Sequence, residues 1–431
     1  MAEAFAWHTR IDAAEAGQAL AAAMAQGVAG DRPALLFHSL DALAARIDLL
    51  STSFPPGTLH ALAIKANPVV GVLRFAVARG MGLEAASWEE VALAQAAGCP
   101  PERILFDSPA KTRDELATAL DAGVTVNADN FDELARIDTL LDGDPQPTSL
   151  IGLRVNPQTG LGSIGMLSVS GGYSKFGVPL GEQRAAIVAA FRRYPWLRGL
   201  HVHTGSQGIG MARMVRAAEL VFALRETIHR DLGERRIVSV DIGGGLPWPY
   251  RADGTAPTPA AYAAALGRAV PEAFAEGVRL ATEFGRILQA GSGFAASRVE
   301  YLKTDAGRRT AVVHFGADLF MRKVYRPEDW HHHISVLAPD GRPKQAPGEP
   351  HVIAGPLCFG GDILAEEAVL PRVEAGDWIV LHDAGGYTLG LWSRHCNRGL
   401  PRVLGYRADP WRFQVLLAGE EPADVVRFWG G

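Results

Sequence analysis

Between about residue 40 and residue 290 the chain repeats one pattern, a short β-forming run followed by a stretch of helical periodicity. The runs are Leu59–Ile64, Gly82–Ala85, Ile104–Phe106, Val124–Asn127, Ile151–Val155, Leu200–Thr204, Val238–Ile242 and Arg279–Glu283. Stretches such as Ser87–Ala97 and Lys111–Ala122 between them read as helices. A helix between two strands brings the chain back to pair in parallel. Strands numbering eight over roughly 250 residues predict a (β/α)8, TIM-like barrel in preference to an open doubly wound sheet.

Past Arg286 the pattern changes. Arg309–Phe315, Pro350–Ile353, Trp378–His382 and Arg412–Leu417 are β-like and separated by Gly- and Pro-rich turns, which predicts a second, mostly β domain. Residues 12–30 read as one helix, and the apolar run Ala34–Phe37 is expected to join that domain's sheet. The expected fold class is therefore α/β, with residues 1–39 as a helix and strand belonging to the β domain, 40–290 as the barrel and 291–431 as the β domain.

Composition narrows the function. The formal net charge of −5 gives no electrostatic case for binding nucleic acid. No apolar run approaches the ~18 to 20 residues of a membrane span. Glu3 and Asp12 precede an alanine-rich stretch with no basic region, so the start does not read as a signal peptide. The three cysteines, Cys99, Cys358 and Cys396, form no C-x-x-C pair, which argues against a disulfide framework or zinc site and for a reducing cytoplasm. Cys99 and Cys396 are expected to pack as small apolar residues. His331-His332-His333 invites a metal reading, but on a strand alternate residues alone share a face, and no metal site is expected.

In a β/α barrel the chemistry sits at the C-terminal ends of the strands. Lys65 follows the first of them, and an amine desolvated there becomes a nucleophile toward an aldehyde; alone it could equally be a solvated lysine. Gly243-Gly244-Gly245 after the seventh lets backbone N–H groups approach a phosphate, yet lacks the dinucleotide-binding spacing and could be a flexible turn. Glu283 and Arg286 after the eighth can serve two ends of one anion-bearing ring, or pair at the surface. Alternation puts His201 and His203 on one side of the sixth, where either could be a core histidine.

These residues lie in motifs that, in order, resemble the fold-type III pyridoxal-phosphate decarboxylases, the group of diaminopimelate, ornithine and arginine decarboxylases. The motifs are Ala63-Ile64-Lys65-Ala66-Asn67, Arg154-Val155-Asn156-Pro157, Ser174-Lys175-Phe176-Gly177, His201 to Ser206, Asp241 to Gly245, Glu283-Phe284-Gly285-Arg286, Gly355-Pro356-Leu357-Cys358 and Asp383 to Tyr387. The resemblance implies a pyridoxal 5'-phosphate enzyme that decarboxylates a small amino-acid substrate, working as a homodimer with active sites shared across the interface. It implies Lys65 as the Schiff-base lysine, His203 stacked on the pyridine ring and Glu283 on its nitrogen. Ser206, Gly243, Gly244, Gly245, Arg286 and Tyr387 would hold the phosphate, with Arg154 also among the cofactor residues. Cys358 of the partner subunit would return a proton to the substrate carbon, and Lys175 and Asp362 would pair across the interface.

Two departures bear on the substrate. The position after the motif cysteine is usually acidic and here is Phe359, which cannot pair with a distal ammonium. In Phe320 to Tyr325, Arg322 and Tyr325 are one residue closer than in the corresponding diaminopimelate decarboxylase stretch, though the guanidinium still suits a carboxylate. Arg322, Tyr325, Phe359 and Tyr387 are therefore the expected substrate residues. A carboxylated or non-basic tail follows, as in a siderophore intermediate of the citryl-diaminopropionate kind, with diaminopimelate as the alternative. A racemase or a non-catalytic coenzyme-binding regulator would share the plan. Similar racemases carry an arginine at the pyridine nitrogen, so Glu283 speaks against the first, and the retained Lys65, Glu283 and Cys358 against the second.

Overall fold

The structure, a computed structural model, describes residues 7–251 and 253–431. Glu3, invoked for the N-terminal reading, lies outside them. The described chain divides into two compact units, residues 46–247 with 256–287, and residues 7–45 with 248–255 and 288–431.

The first unit is the expected barrel. Its strands are β2 (Leu59–Ala63), β3 (Gly82–Ala85), β4 (Ile104–Phe106), β5 (Thr125–Ala128), β6 (Ile151–Asn156), β8 (Leu197–His201), β9 (Ser239–Asp241) and β10 (Arg279–Thr282), with the two-residue β7 (Val178–Pro179) beside β6. All pair in parallel, β10 returns to β2, and β5 joins β6, which closes the ring. The strands are short and nearly all buried, as parallel strands covered on both faces must be. Polar caps start the helices after them. Ser87 accepts from the Glu90 N–H, Asn130 from Glu133, and Thr112 forms a reciprocal box with Glu115.

The sixth barrel strand departs from expectation. It begins at Leu197 and ends at His201, so His203 stands in the loop beyond. Leu197, Gly199 and His201 share one buried face while Arg198 on the other is exposed, so the strand starts earlier than the run Leu200–Thr204 suggests.

The second unit holds two sheets. In the six-stranded one, β1 (Ala34–Ser39) lies between β11 (Gly293–Arg298) and β18 (Arg402–Ala408), flanked by β17 (Trp378–Leu381), β14 (Ile334–Leu337) and β19 (Trp411–Leu417). The other orders β12 (Tyr301–Asp305), β13 (Arg308–Val312), β15 (Glu349–Ala354) and β16 (Ile363–Leu370). The N-terminal helix is Ala13–Ala25, shorter than its expected span, and packs on this unit's core with Leu35, Phe37, Phe294 and Leu404. The segment Trp248–Thr255, within the stretch expected to be barrel, belongs to this unit. Among the described residues no helix is long and apolar enough to cross a membrane.

Candidate active site

The first turn after β2, Ile64–Ala66, delivers Lys65. Its Nζ bonds the Glu84 carboxylate on the neighbouring strand β3, where Ala63 pairs with Glu84. Burial pushes the Glu84 carboxyl up, and the Lys65 ammonium pulls it partly back. The Lys65 side chain is still 37% exposed, so a carbonyl compound can reach the amine from the open side. Glu84 feels the charges of both Lys65 and Glu283, which puts amine and acid in one site.

Glu283 follows β10 and is buried. His201 Nε2 lies 3.2 Å from its Oε1. His203 Nδ1 is 3.4 Å from its Oε2. The two histidine contacts differ in kind. His203 Nδ1 accepts the Gly244 N–H at 3.1 Å, so its proton sits on Nε2 and it has none to offer Glu283. Burial holds His203 below its ordinary value, which leaves a neutral ring. Against burial, the His201 imidazolium holds Glu283 well below the usual carboxylate range. An ionised acid beside a pyridine nitrogen keeps that nitrogen protonated.

The glycines are sterically required. A Cβ at Gly244 would sit 2.1 Å from the Glu283 carbonyl oxygen, and one at Gly243 2.6 Å from His203 Nδ1. Gly243 (φ 68°) and Gly245 (φ 117°) also occupy left-handed backbone. Gly245 abuts the carbonyl of Gly205, whose neighbour Ser206 accepts at Oγ from Arg286 Nη2 at 3.3 Å. Close backbone, a hydroxyl and a buried guanidinium are the donor set a phosphate needs. With Lys65 and Glu283 in the same barrel mouth, these residues fit pyridoxal phosphate. Arg154 lies within β6 with its guanidinium 4.4 Å over the Phe176 ring and Nε 4.0 Å from Asp129 Oδ1.

The β unit carries the other expected residues. Arg322 lies on the helix Ala317–Tyr325, its guanidinium carbon 4.8 Å over the Trp330 ring and 4.8 Å over the Tyr387 ring. Tyr387 (φ 59°) and Asp383 (φ 57°) hold left-handed backbone at both ends of the Asp383–Tyr387 loop, the strain expected where function fixes a conformation. Phe359 stacks on Tyr325 with ring centroids 6.0 Å apart and meets His395 edge-on at 5.8 Å. Cys358 is exposed, and its backbone N–H points at Cys396 Sγ, 3.4 Å away.

Several expectations need correction. Cys99 is buried as predicted, but Cys396 is exposed, in left-handed backbone on the loop beside Cys358. His331–His333 precede β14 in irregular backbone, so strand alternation does not govern them. His332 donates to the His382 carbonyl. Asp362 is buried within its own chain, accepting from the Ala317 and Leu357 N–H groups. Two site residues were missed by the sequence reading, Glu84 and Asp107. Each is an acid within or just after a buried apolar strand, which was a legible signal.

The model of the pyridoxal-dependent decarboxylase family, pyridoxal binding domain, matches residues 40–290. Diaminopimelate decarboxylase of Escherichia coli strain K12 is 31% identical over 359 residues, covering 79% of this chain and 82% of its own length. The Archaeoglobus fulgidus enzyme of that name is 29% identical over 373 residues, covering 84% and 85%. The crystal structure of diaminopimelate decarboxylase from Helicobacter pylori complexed with L-lysine superposes with a TM-score of 0.82 at 23% identity, over 94% of this chain and 99% of that one. The lysine/ornithine decarboxylase from Vibrio vulnificus complexed with putrescine gives 0.72 at 21% identity, over 87% and 94%. At those identities the two structures speak for the fold.

Proposed function

The chain belongs to the pyridoxal-dependent decarboxylases, a carboxy-lyase with pyridoxal 5'-phosphate as its coenzyme, and from that premise we propose that its substrate is an amino acid with a carboxylate at its far end. When bound, the coenzyme supplies the electron sink for the carbanion left by loss of CO2. In this reading Lys65 holds the coenzyme covalently, and Glu283 keeps its ring nitrogen protonated. His203 would pack against the coenzyme ring, and Ser206, Gly243 to Gly245, Arg286 and Tyr387 would bind its phosphate. Arg154 braces the site.

The observation that carries the substrate class is Arg322, whose guanidinium lies against two aromatic rings. Stacking fixes the plane of the group, and a guanidinium's planar fork of N–H donors suits a carboxylate. Diaminopimelate is the first candidate, because the curated relatives cited above are diaminopimelate decarboxylases. Phe359, stacked on Tyr325, favours a second reading, a carboxylated tail with no distal amine such as a citryl-diaminopropionate. Release of CO2 from meso-diaminopimelate, a citryl-diaminopropionate, L-lysine and L-ornithine by the purified holoenzyme separates the cases. Turnover of a dicarboxylate with little from lysine or ornithine is expected. Preference for either diamine would overturn the reading.

The homodimer and a cytoplasmic location belong to the same proposal, with Cys358 of one subunit returning the proton in its partner's site. Mixing inactive Lys65→Ala and Cys358→Ala proteins tests this. Random exchange of subunits in a symmetric dimer should restore about a quarter of wild-type activity. No recovery in a mixture shown to contain heterodimers would place both residues in one subunit's site.

A further inference from the structure

Glu283 is one of four buried groups, with Asp107 after β4, His201 ending β8 and Asp241 ending β9, that each bring one polar atom to within 4.8 Å of the others. Three carboxyls that close cannot all be ionised, since two unit charges at 4 Å repel by about 4 kcal/mol even at an effective dielectric of 20. Proximity to the His201 imidazole decides which acid keeps its charge, since Nε2 lies 3.2 Å from Glu283 Oε1 and 3.9 Å from Asp107 Oδ2. Asp107 Oδ1 accepts from the neutral Asn127 amide at 2.7 Å. Asp241 Oδ1 accepts from the Gly243 N–H at 2.8 Å. His201, neither of whose ring nitrogens has a hydrogen-bond partner among the described residues, faces Glu283 through Nε2 at 3.2 Å and can bring a positive charge there.

We propose that His201 and Asp107 are positioning residues that hold Glu283 as a carboxylate, His201 by an imidazolium 3.2 Å from its Oε1 and Asp107 by a retained carboxyl proton directed at it. The inference rests on the reading of Glu283 as the partner of the coenzyme's ring nitrogen. The protonation states agree. Burial drives Asp107 well above its ordinary range, reinforced by Glu283, and lifts Asp241 to about 8. Burial opposes a charged His201, but Asp107 and Glu283 outweigh it and raise the imidazole to about 9. The other titratable groups facing the cluster are Glu84 with its partner Lys65, His203 with Arg154 beyond it, and Arg279, whose charge reaches Asp241. Neither pair adds a proton donor to Glu283. Lys65 bonds Glu84, and His203 Nδ1 is taken by Gly244.

The test uses holoenzyme carrying 15N-labelled pyridoxal phosphate, with the ring-nitrogen shift followed against pH. Wild type should stay protonated to at least about pH 9, matching the imidazolium that supports it. His201→Asn keeps an amide but loses the charge and should lose the ring proton at least about one pH unit lower, a tenfold change in the protonation equilibrium. Asp107→Leu should shift the same way. Asp107→Asn keeps an N–H donor and should titrate like wild type. The kcat of His201→Asn should fall about tenfold with KM little changed, since the group does not touch substrate. Coenzyme stoichiometry and thermal unfolding confirm that each variant is folded and loaded.

If wild type binds the coenzyme with an unprotonated ring nitrogen, the reading of Glu283 falls. If wild type is protonated and both His201→Asn and Asp107→Leu titrate with it, the role of His201 and Asp107 falls and that of Glu283 stands. A stoichiometric divalent cation in the purified holoenzyme, released by His201→Asn, would also overturn the inference, because the four groups would then be its ligands.

Discussion

His60 and His201 are both buried in the barrel, yet their protons go opposite ways. Burial, with Arg103 nearby, lowers His60 to about 4, and its Nδ1 settles against the Thr282 hydroxyl at 2.7 Å. His201 suffers the same burial but faces carboxylates and is raised to about 9. The difference is what surrounds each ring, and it has a thermodynamic consequence. An unfolded histidine titrates near 6.5, so a folded value near 9 means the native state binds the proton more tightly. That stabilisation is complete below about pH 6.5 and is lost as pH rises through about 9. The melting temperature of wild type should therefore exceed that of His201→Asn most near pH 6. The gap should narrow steadily up to pH 9.5, as read by circular dichroism. A gap that widens with pH would show that His201 is neutral in the folded protein.

At the scale of elements, function gathers where strands stop. Between β9 and β10 the cradle depends on Gly244, because a methyl group there would stand 2.1 Å from backbone, where no side chain can swing aside. Gly244→Ala should destabilise the protein by about 1–3 kcal/mol, the usual cost of overpacking. It should also weaken coenzyme binding by more than the stability loss explains, because the Gly244 N–H that fixes the His203 tautomer is displaced. Denaturant unfolding of the apo-protein and coenzyme titration would measure the two effects. Strand-end chemistry was legible because buried parallel strands are short apolar runs, so Lys65, Asp241 and Glu283 stand out as the polar residues that end them. The Asp107–His201–Glu283 cluster was not legible, because it joins β4, β8 and β10 and barrel closure alone makes them neighbours. Cys396 was misjudged because a local run says nothing of the left-handed turn that exposes it.

At the scale of the whole chain, the β unit is assembled from both ends of the sequence. β1 pairs antiparallel with β11 from Ala34↔Ser297 to His38↔Gly293, and parallel with β18 from Leu35↔Arg402 to Ser39↔Tyr406. It is thus a central strand of a sheet whose other members lie after residue 292. The helix before it buries Ala16, Ala19, Leu20 and Ala23 against the same core, and Tyr406 donates to Glu15 at 2.7 Å. Removing the first 45 residues leaves β11 and β18 with open edges and strips Leu20, Leu35 and Phe37 from the core. Each of those side chains is worth about 1.5–3 kcal/mol in burial, against a total domain stability of roughly 5–15 kcal/mol. A fragment of residues 288–431 should accordingly lack a cooperative thermal transition and aggregate through its exposed strands. Residues 7–45 fused to it through a flexible linker should restore the transition. The segment Trp248–Thr255 is missing from both proteins, so the comparison isolates the N-terminal helix and strand. A cooperative melt of 288–431 alone would mean that the C-terminal sheet closes on itself and that β1 is an addition to a fold already complete.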